Sequence, residues 1–291
     1  MKKQTVELLR IVSAFGIVWY HASNIGKEIA YSGLVCFLVL SIYYSALPGG
    51  VRKPLTDRVQ RILVPWVVWF LFYGTLNVVF NKPFIPTGNG YVAAFLTGTT
   101  THLWYLPFIF FLAVFFGELK FFLSSRVLAS LSFIAVVAVF MCTAYWRPWS
   151  LTLGYPWVQY AHAAAGVLFG VMLAQSTVLP MILRAGMIVA VFTTVLVFSM
   201  SFPSVGVTYL IGMSAVALAL VPGKDFLRRF DFTEFSGCTM GIYLSHVFWV
   251  VGFRKMGMFS DITLPLTSFA ISLLTVWVFR RLVPGIAKYV V

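Results

Sequence analysis

The first hydrophobic segment of this chain holds the residues best placed to do chemistry. In "ELLRIVSAFGIVWYHAS", residues 7–23, an acid, a base and a histidine sit on an otherwise apolar stretch. At about 3.6 residues per turn, positions seven, eleven and fourteen apart share one helical face. Glu7, Arg10, Ala14 and His21 therefore form a stripe. Arg10 and His21 are separated by about 16 Å along the axis, roughly half a hydrocarbon core. An arginine more than a turn inside a membrane helix is costly and is expected to face a cavity or a partner. The alternative is a local ion pair between Glu7 and Arg10, with His21 reaching up to the interface. The stripe is better explained as the wall of a hydrophilic passage. A histidine that titrates near neutrality at its outer end is suited to take a proton from a hydroxyl.

The elements that must carry this stripe follow from composition. The chain has 291 residues, 60% hydrophobic and only 10% charged. A soluble domain of this size has no use for so many apolar residues, so the chain reads as an all-α polytopic membrane protein. Its net charge of +13 is assigned to loops facing anionic lipid rather than to nucleic acid. The first segment has no small-residue cleavage site and is not read as a signal peptide. Cys36, Cys142 and Cys238 lie in separate apolar segments with no metal or redox spacing, and are read as packing residues.

Apolar runs at about 5–23, 30–47, 62–80, 103–117, 127–145, 157–175, 178–199, 205–222, 236–253 and 262–283 predict about ten transmembrane helices. Punctuation such as "SALPGGVRKPLTDRVQR" and "FNKPFIPTGNGY" separates them. With a cytoplasmic N-terminus, the inner side holds fifteen basic residues, among them Lys2, Lys53, Arg58, Arg61, Lys120 and Lys224. The outer side holds five: Lys27, Lys82, Arg147, Arg254 and Lys255. Both termini are therefore placed in the cytoplasm. One membrane domain spans residues 1–291, and no appended extracytoplasmic domain is expected.

In this topology all four histidines, His21, His102, His162 and His246, fall in the outer half. The inner side carries the opposite chemistry. Arg58 and Arg61 are three apart and share a face if the third span opens as a helix, and paired guanidiniums match phosphate oxygens. Ordinary inward-facing positive charge is the competing account. No carboxylate lies at mid-membrane, where coupled transporters commonly place one. No Ser/His/Asp triad, phosphate loop or metal pattern is visible, and no metal is expected.

These pieces resemble the acyltransferase-3 family of bacterial integral membrane acyltransferases. Glu7, Arg10 and His21 resemble its opening motif. "FLVLSIYY" resembles its Phe-x-x-x-Ser-Gly segment, with Ser41 kept and Ile42 in the place of the glycine. "RVQRILVPW" resembles its Arg-x-x-Arg-x-x-x-Pro element through Arg58, Arg61 and Pro65. "HLWYL" brings His102, Trp104 and Tyr105, and "SGCTMGIYLSH" brings Ser236, Tyr243 and His246. The matches run in order from residue 7 to residue 246, and about 118–235 carries none. The resemblance implies transfer of an acyl group, expected to be acetyl, from cytoplasmic acetyl-CoA or another acyl-CoA to a hydroxyl of a surface or exported glycan. His21 would act as general base, or alternatively as a transient acyl carrier. Glu7 and Arg10 would support it, and Arg10 would also line the donor's path. Arg58 and Arg61 would hold the CoA phosphates. His102, Trp104, Tyr243 and His246 would line the acceptor mouth. The implied setting is the bacterial cytoplasmic (inner) membrane, with a glycan acceptor that is lipid-linked or nascent, or a separate extracytoplasmic partner that relays the group. Two further readings stay open: acylation of a small molecule, and a transporter or flippase with no chemistry.

Overall fold

A computed structural model describes residues 3–52, 54–88, 90–223, 225–257 and 259–291. Lys2, Lys53 and Lys224, counted above among the inner basic residues, lie outside the described residues. Among the described residues the chain is helical, with no strand. The longer helices are α1 (Gln4–Ala22), α2 (Lys27–Ala46), α3 (Val64–Val79), α4 (Tyr105–Leu119), α5 (Ser125–Met141), α6 (Thr143–Leu151), α7 (Trp157–Gln175), α8 (Met181–Phe198), α9 (Gly206–Ala219), α10 (Thr239–Met256) and α11 (Thr263–Leu282).

A helix thus occupies each of the ten expected places, with differences at two of them. The run at 127–145 is broken between α5 and α6 by a bend of 73°. Cys142 sits at that break and is exposed, so it is not a packing residue. Cys36 and Cys238 are buried as expected. The third run opens with a short helix, Leu55–Arg58, and a π-turn, Val59–Leu63, before α3 begins. Among the described residues, six helices are long and apolar enough to cross a membrane, seven if the bent pair is one span. α1 and α10 are not among them because their polar residues, including Glu7, Arg10, His21 and His246, lower their apolarity.

The described chain divides into two compact units. The first is built from both ends of the sequence, Met1–Phe37 and Val207–Val291. The second is Leu38–Gly206.

In the first unit α1 is packed on two faces. Ala14 and Val18 join Ile242 of α10 and Val276 of α11 in a fully buried core. The opposite face meets α2 through small residues. A Cβ on Gly16 would stand 2.7 Å from the Ala30 carbonyl oxygen, and one on Gly33 would strike the backbone of Ser13. α9 closes on α2 in the same way, with Gly212 against Val35 and the Ser32 carbonyl. Small residues let membrane helices approach closely where no hydrophobic drive exists between them and lipid.

Both ends of α1 are tied by side chains from far along the chain. Lys3, before its first turn, offers no side-chain cap. Asp225 does that work, accepting from the backbone N–H groups of Gln4 (2.9 Å) and Thr5 (3.1 Å) and from the Thr5 hydroxyl (2.9 Å). At the other end Arg254 Nη2 donates to the carbonyls of His21 (3.3 Å) and Ala22 (3.2 Å).

The Asp225 contacts make a pH prediction. The Gln4 backbone N–H, before the other donors, holds the Asp225 carboxyl below its ordinary value. A depressed carboxyl contributes stability that is present above its unfolded value and lost as pH falls through the folded one. The start of α1 is therefore expected to exchange amide hydrogens faster as pH falls below the usual aspartate range. Asp225→Asn should show that faster exchange at neutral pH and lose the acid dependence. An unchanged pH profile in the variant would rule this out.

The second unit places α5 against α7 and α8, and its motif residues meet inside it. Ser41 and the Tyr105 hydroxyl are 3.3 Å apart. Ile42, in the place of the family's glycine, is fully buried. The close approach is supplied instead from the other helix: a Cβ on Gly170 of α7 would sit 3.1 Å from the Ile42 Cβ.

Candidate active site

α1 is helical across Glu7, Arg10, Ala14 and His21, but the expected hydrophilic wall is interrupted: Ala14 is buried in the apolar core, and Glu7 and Arg10 form the local i,i+3 pair of the alternative reading. Glu7 is buried at 3% exposure. Ser236, on the short helix Thr233–Ser236, donates its hydroxyl to Glu7 Oε2 in a short contact. Arg10 Nη1 lies 3.5 Å from Glu7 Oε1, and its side chain is one-third exposed. The ion pair is loose on the arginine side. A buried carboxylate must be hydrogen-bonded or it is costly, and Ser236 is the group that lowers that cost. Ser236 was visible in the late motif, yet nothing in the spacing of the chain pointed it at Glu7.

At the C-terminal end of α1 the rings of His21 and His246 are 5.1 Å apart. Tyr20 stands edge-on to His21 at 5.2 Å, and Tyr243 lies 6.0 Å from His246. His246 Nδ1 is 2.6 Å from the Tyr243 carbonyl and 3.2 Å from that of Ile242. Carbonyls only accept, so Nδ1 carries the proton and Nε2 is the acceptor of the neutral ring. Lys27 and Arg254 bring positive charge to His21, and Lys27 Nζ is 5.1 Å from the centre of the Tyr20 ring. Two imidazoles side by side, one with its tautomer fixed by backbone, can hold and move a proton at a hydroxyl placed between them.

The remaining predicted residues belong to the second unit. His102 is buried on the 3₁₀ turn Thr101–Trp104, with Nδ1 3.0 Å from the Thr100 hydroxyl and its ring 5.2 Å from Tyr73. Trp104 is 6% exposed and packs among Tyr105, Phe108 and Tyr160. His162 Nε2 is 2.9 Å from the Ser204 carbonyl. His21, Tyr243 and His246 are thus brought together inside one unit, while His102, Trp104 and His162 are set in the other.

Arg58 and Arg61 do not share one environment. The π-turn that begins after Arg58 breaks the three-residue spacing on which their pairing rested. Arg58 is half-buried, lies over Gly117 and donates to the Ala113 carbonyl, whereas Arg61 is exposed. A basic cluster forms around Arg58 all the same. The Glu118 carboxylate feels Arg52, Arg58 and Lys120 together. Arg52 Nε donates to it at 2.7 Å, and this contact raises the affinity of Arg52 for its proton. Lys120 Nζ donates to the carbonyls of Leu47 (2.9 Å) and Ser45 (3.3 Å) at the end of α2. Three cations against one carboxylate leave surplus positive charge for an anion. Arg52 and Lys120 were legible in the sequence only as part of the general inward bias.

Comparison with curated proteins and with solved structures found no match to this chain. The family model described as an acyltransferase domain, acyltransferase-3, matches residues 4–280. The match takes in α1 through most of α11, and with them the buried Glu7, the paired His21 and His246, and the Arg58 cluster. The chain, nearly all of it, is a member of the acyltransferase-3 family, an acyltransferase in a multi-pass membrane protein.

Proposed function

We propose that this protein is a membrane O-acyltransferase that moves an acetyl group from cytoplasmic acetyl-CoA to a hydroxyl of a surface or exported glycan. The observation that carries the reading is the His21–His246 pair at one end of a helix whose other end bears buried Glu7 and Arg10. In this reading the ten helices cross a bacterial inner membrane with both termini in the cytoplasm, as the basic residues favour. The setting of Arg58, close over Gly117 and beside Lys120 and Arg52, suits the phosphates of CoA. Arg61 adds charge from the exposed side of the same turn. Arg10, one-third exposed beside Glu7, lines the path of the acyl arm.

His21 takes the proton of the acceptor hydroxyl as that oxygen attacks the thioester carbonyl. The C–O bond forms, the C–S bond breaks, and CoA leaves as the thiolate, which takes up a proton. The neighbouring His246, with Nδ1–H fixed on the Tyr243 carbonyl, accepts a hydrogen bond at Nε2 and orients the acceptor. Tyr243 offers an aromatic wall for a sugar ring.

The binding half is tested with purified protein and acetyl-CoA. Losing the charge-assisted contacts of the double variant Arg58→Ala/Arg61→Ala should raise the Kd for acetyl-CoA about a hundredfold. An unchanged Kd would remove these arginines from the donor site. If the wild-type protein neither binds acetyl-CoA nor releases CoA with glycan present, acetyl-CoA is not the donor, and longer acyl-CoAs are tried next.

A further inference from the structure

Three hydroxyls lie buried where α10 packs against α11. Gly257, in the left-handed conformation (φ 69°), closes α10, and α11 returns antiparallel along it. The register is set near one end by Gly241, where a Cβ would stand 2.6 Å from Val276 Cγ1. Near the other end it is set by Val250 and Leu264, which share the buried core. One turn along from Gly241 and Val276, four residues on in α10 and four back in α11, Ser245 faces Ser272. Ser268 follows one turn further on α11, so Ser268 and Ser272 interrupt a stripe that begins with Leu264 and ends with Val276. Ser268 and Ser272 are fully buried, and Ser245 is 5% exposed.

All three hydroxyl oxygens are closed off from the surface, and among the described residues none of them has a hydrogen-bond partner. A buried hydroxyl left in that state is costly. A serine or threonine in a helix has an easy remedy, the carbonyl one turn back. Ser45, Thr97 and Thr194 use it, each at 2.8 Å. Ser245, Ser268 and Ser272 do not, which leaves their hydroxyls for a group between the helices. Side chains four apart on a helix stand about 5–6 Å from one another. That is too far for one hydrogen bond and matches two in series through one small molecule. The core side chains on either side, Ile242, Val250, Leu264 and Val276, are apolar, and the hydroxyls themselves are neutral, which suits an uncharged guest. A hydroxyl both donates and accepts, so the cluster offers the roughly three hydrogen bonds that a buried water makes.

We infer that Ser245, Ser268 and Ser272 bind a water molecule between α10 and α11. Ser245 immediately precedes His246, so the site pins to α11 the turn of α10 that carries that histidine. The site stands whether or not the protein transfers acyl groups. A direct bond between two of the serines would join the same helices without a guest, and the experiment separates the two.

The test places the whole chain in phosphatidylcholine nanodiscs and in water labelled with heavy oxygen. A brief X-ray pulse then splits bound water into hydroxyl radicals where it sits. Heavy oxygen should appear on Ile242 and Leu264, buried side chains one turn from Ser245 and Ser268. It should be absent from Met213 of α9, which is fully buried and chemically more reactive. No label on Ile242 or Leu264 would overturn the proposal, and a direct serine–serine bond would give that result. Thermal unfolding in detergent gives a second arm. Removing one hydroxyl from a bridged set strands the water and the other two, so Ser272→Ala should lower the midpoint by about 2–4 °C. An orphan hydroxyl would give the opposite sign, because its loss removes a cost, and a raised midpoint would overturn the proposal. The triple variant Ser245→Ala/Ser268→Ala/Ser272→Ala releases the water together with all its partners, so its midpoint should fall by less than the sum of the three single changes. Additive losses would overturn it.

Discussion

His21→Ala is expected to keep acetyl-CoA binding and lose turnover by about 10²–10⁴-fold, the range for removing a positioned general base. The reason is geometric. In the first unit His21 stands at the end of α1, its ring 5.1 Å from His246. Arg254 holds the carbonyl of the same residue. The backbone that carries the imidazole is therefore fixed independently of the imidazole, so truncation should remove the ring without moving the helix. CoA release with glycan present reads the turnover, and acetyl-CoA binding reads the fold. A His21→Ala protein that turns over normally would eliminate the base. A transporter would show that result, since substrate movement needs no proton acceptor.

The second large effect is structural. Gly33→Leu should destabilise the protein by on the order of 3 kcal/mol, the upper part of the range for overpacking a close contact. A side chain at residue 33 meets the Ser13 backbone rather than a flexible neighbour, so α1 and α2 must separate. Separation also shifts Gly16 from Ala30. Thermal unfolding in detergent should show the lowered midpoint. Gly186→Leu is the control, because a Cβ there meets nothing within 4 Å. Equal melting of the two variants would show that the α1–α2 approach is not a constraint.

Much of the scaffold was legible because hydropathy is a strong and local signal. The ten helical places follow from runs of apolar residues broken by Pro, Gly and charge. The stripe on α1 was legible for the same reason, since helical periodicity alone puts Glu7, Arg10 and His21 on one face. What was hidden is whatever depends on partners distant in sequence. His246 beside His21 is a contact across 225 residues, and Ser236 meets Glu7 across 229. Four histidines in the outer half looked equivalent, yet packing gives His21 and His246 to one unit and His102 and His162 to the other. The Arg58–Arg61 pairing missed because a π-turn replaces the α-helix assumed there. Ile42 shows the converse. The resemblance places a glycine where this chain has Ile42, and Gly170 on another helix supplies the close approach.

The way α1 is held bears on how the protein is made. Its first turn is capped by Asp225, its buried acid is satisfied by Ser236, and its C-terminal end is held by Arg254. All three are synthesised after the whole of the second unit. At ribosomal speeds of about 5–20 residues per second, Glu7 waits on the order of 10–50 s for its partner. During that wait a helix bearing an acid, an arginine and a histidine has only its own Glu7–Arg10 pair, without the Asp225 cap, the Ser236 hydroxyl or the Arg254 contact. α1 is thus completed only after the helices that follow it are made, and premature termination anywhere before residue 236 leaves Glu7 without the Ser236 hydroxyl.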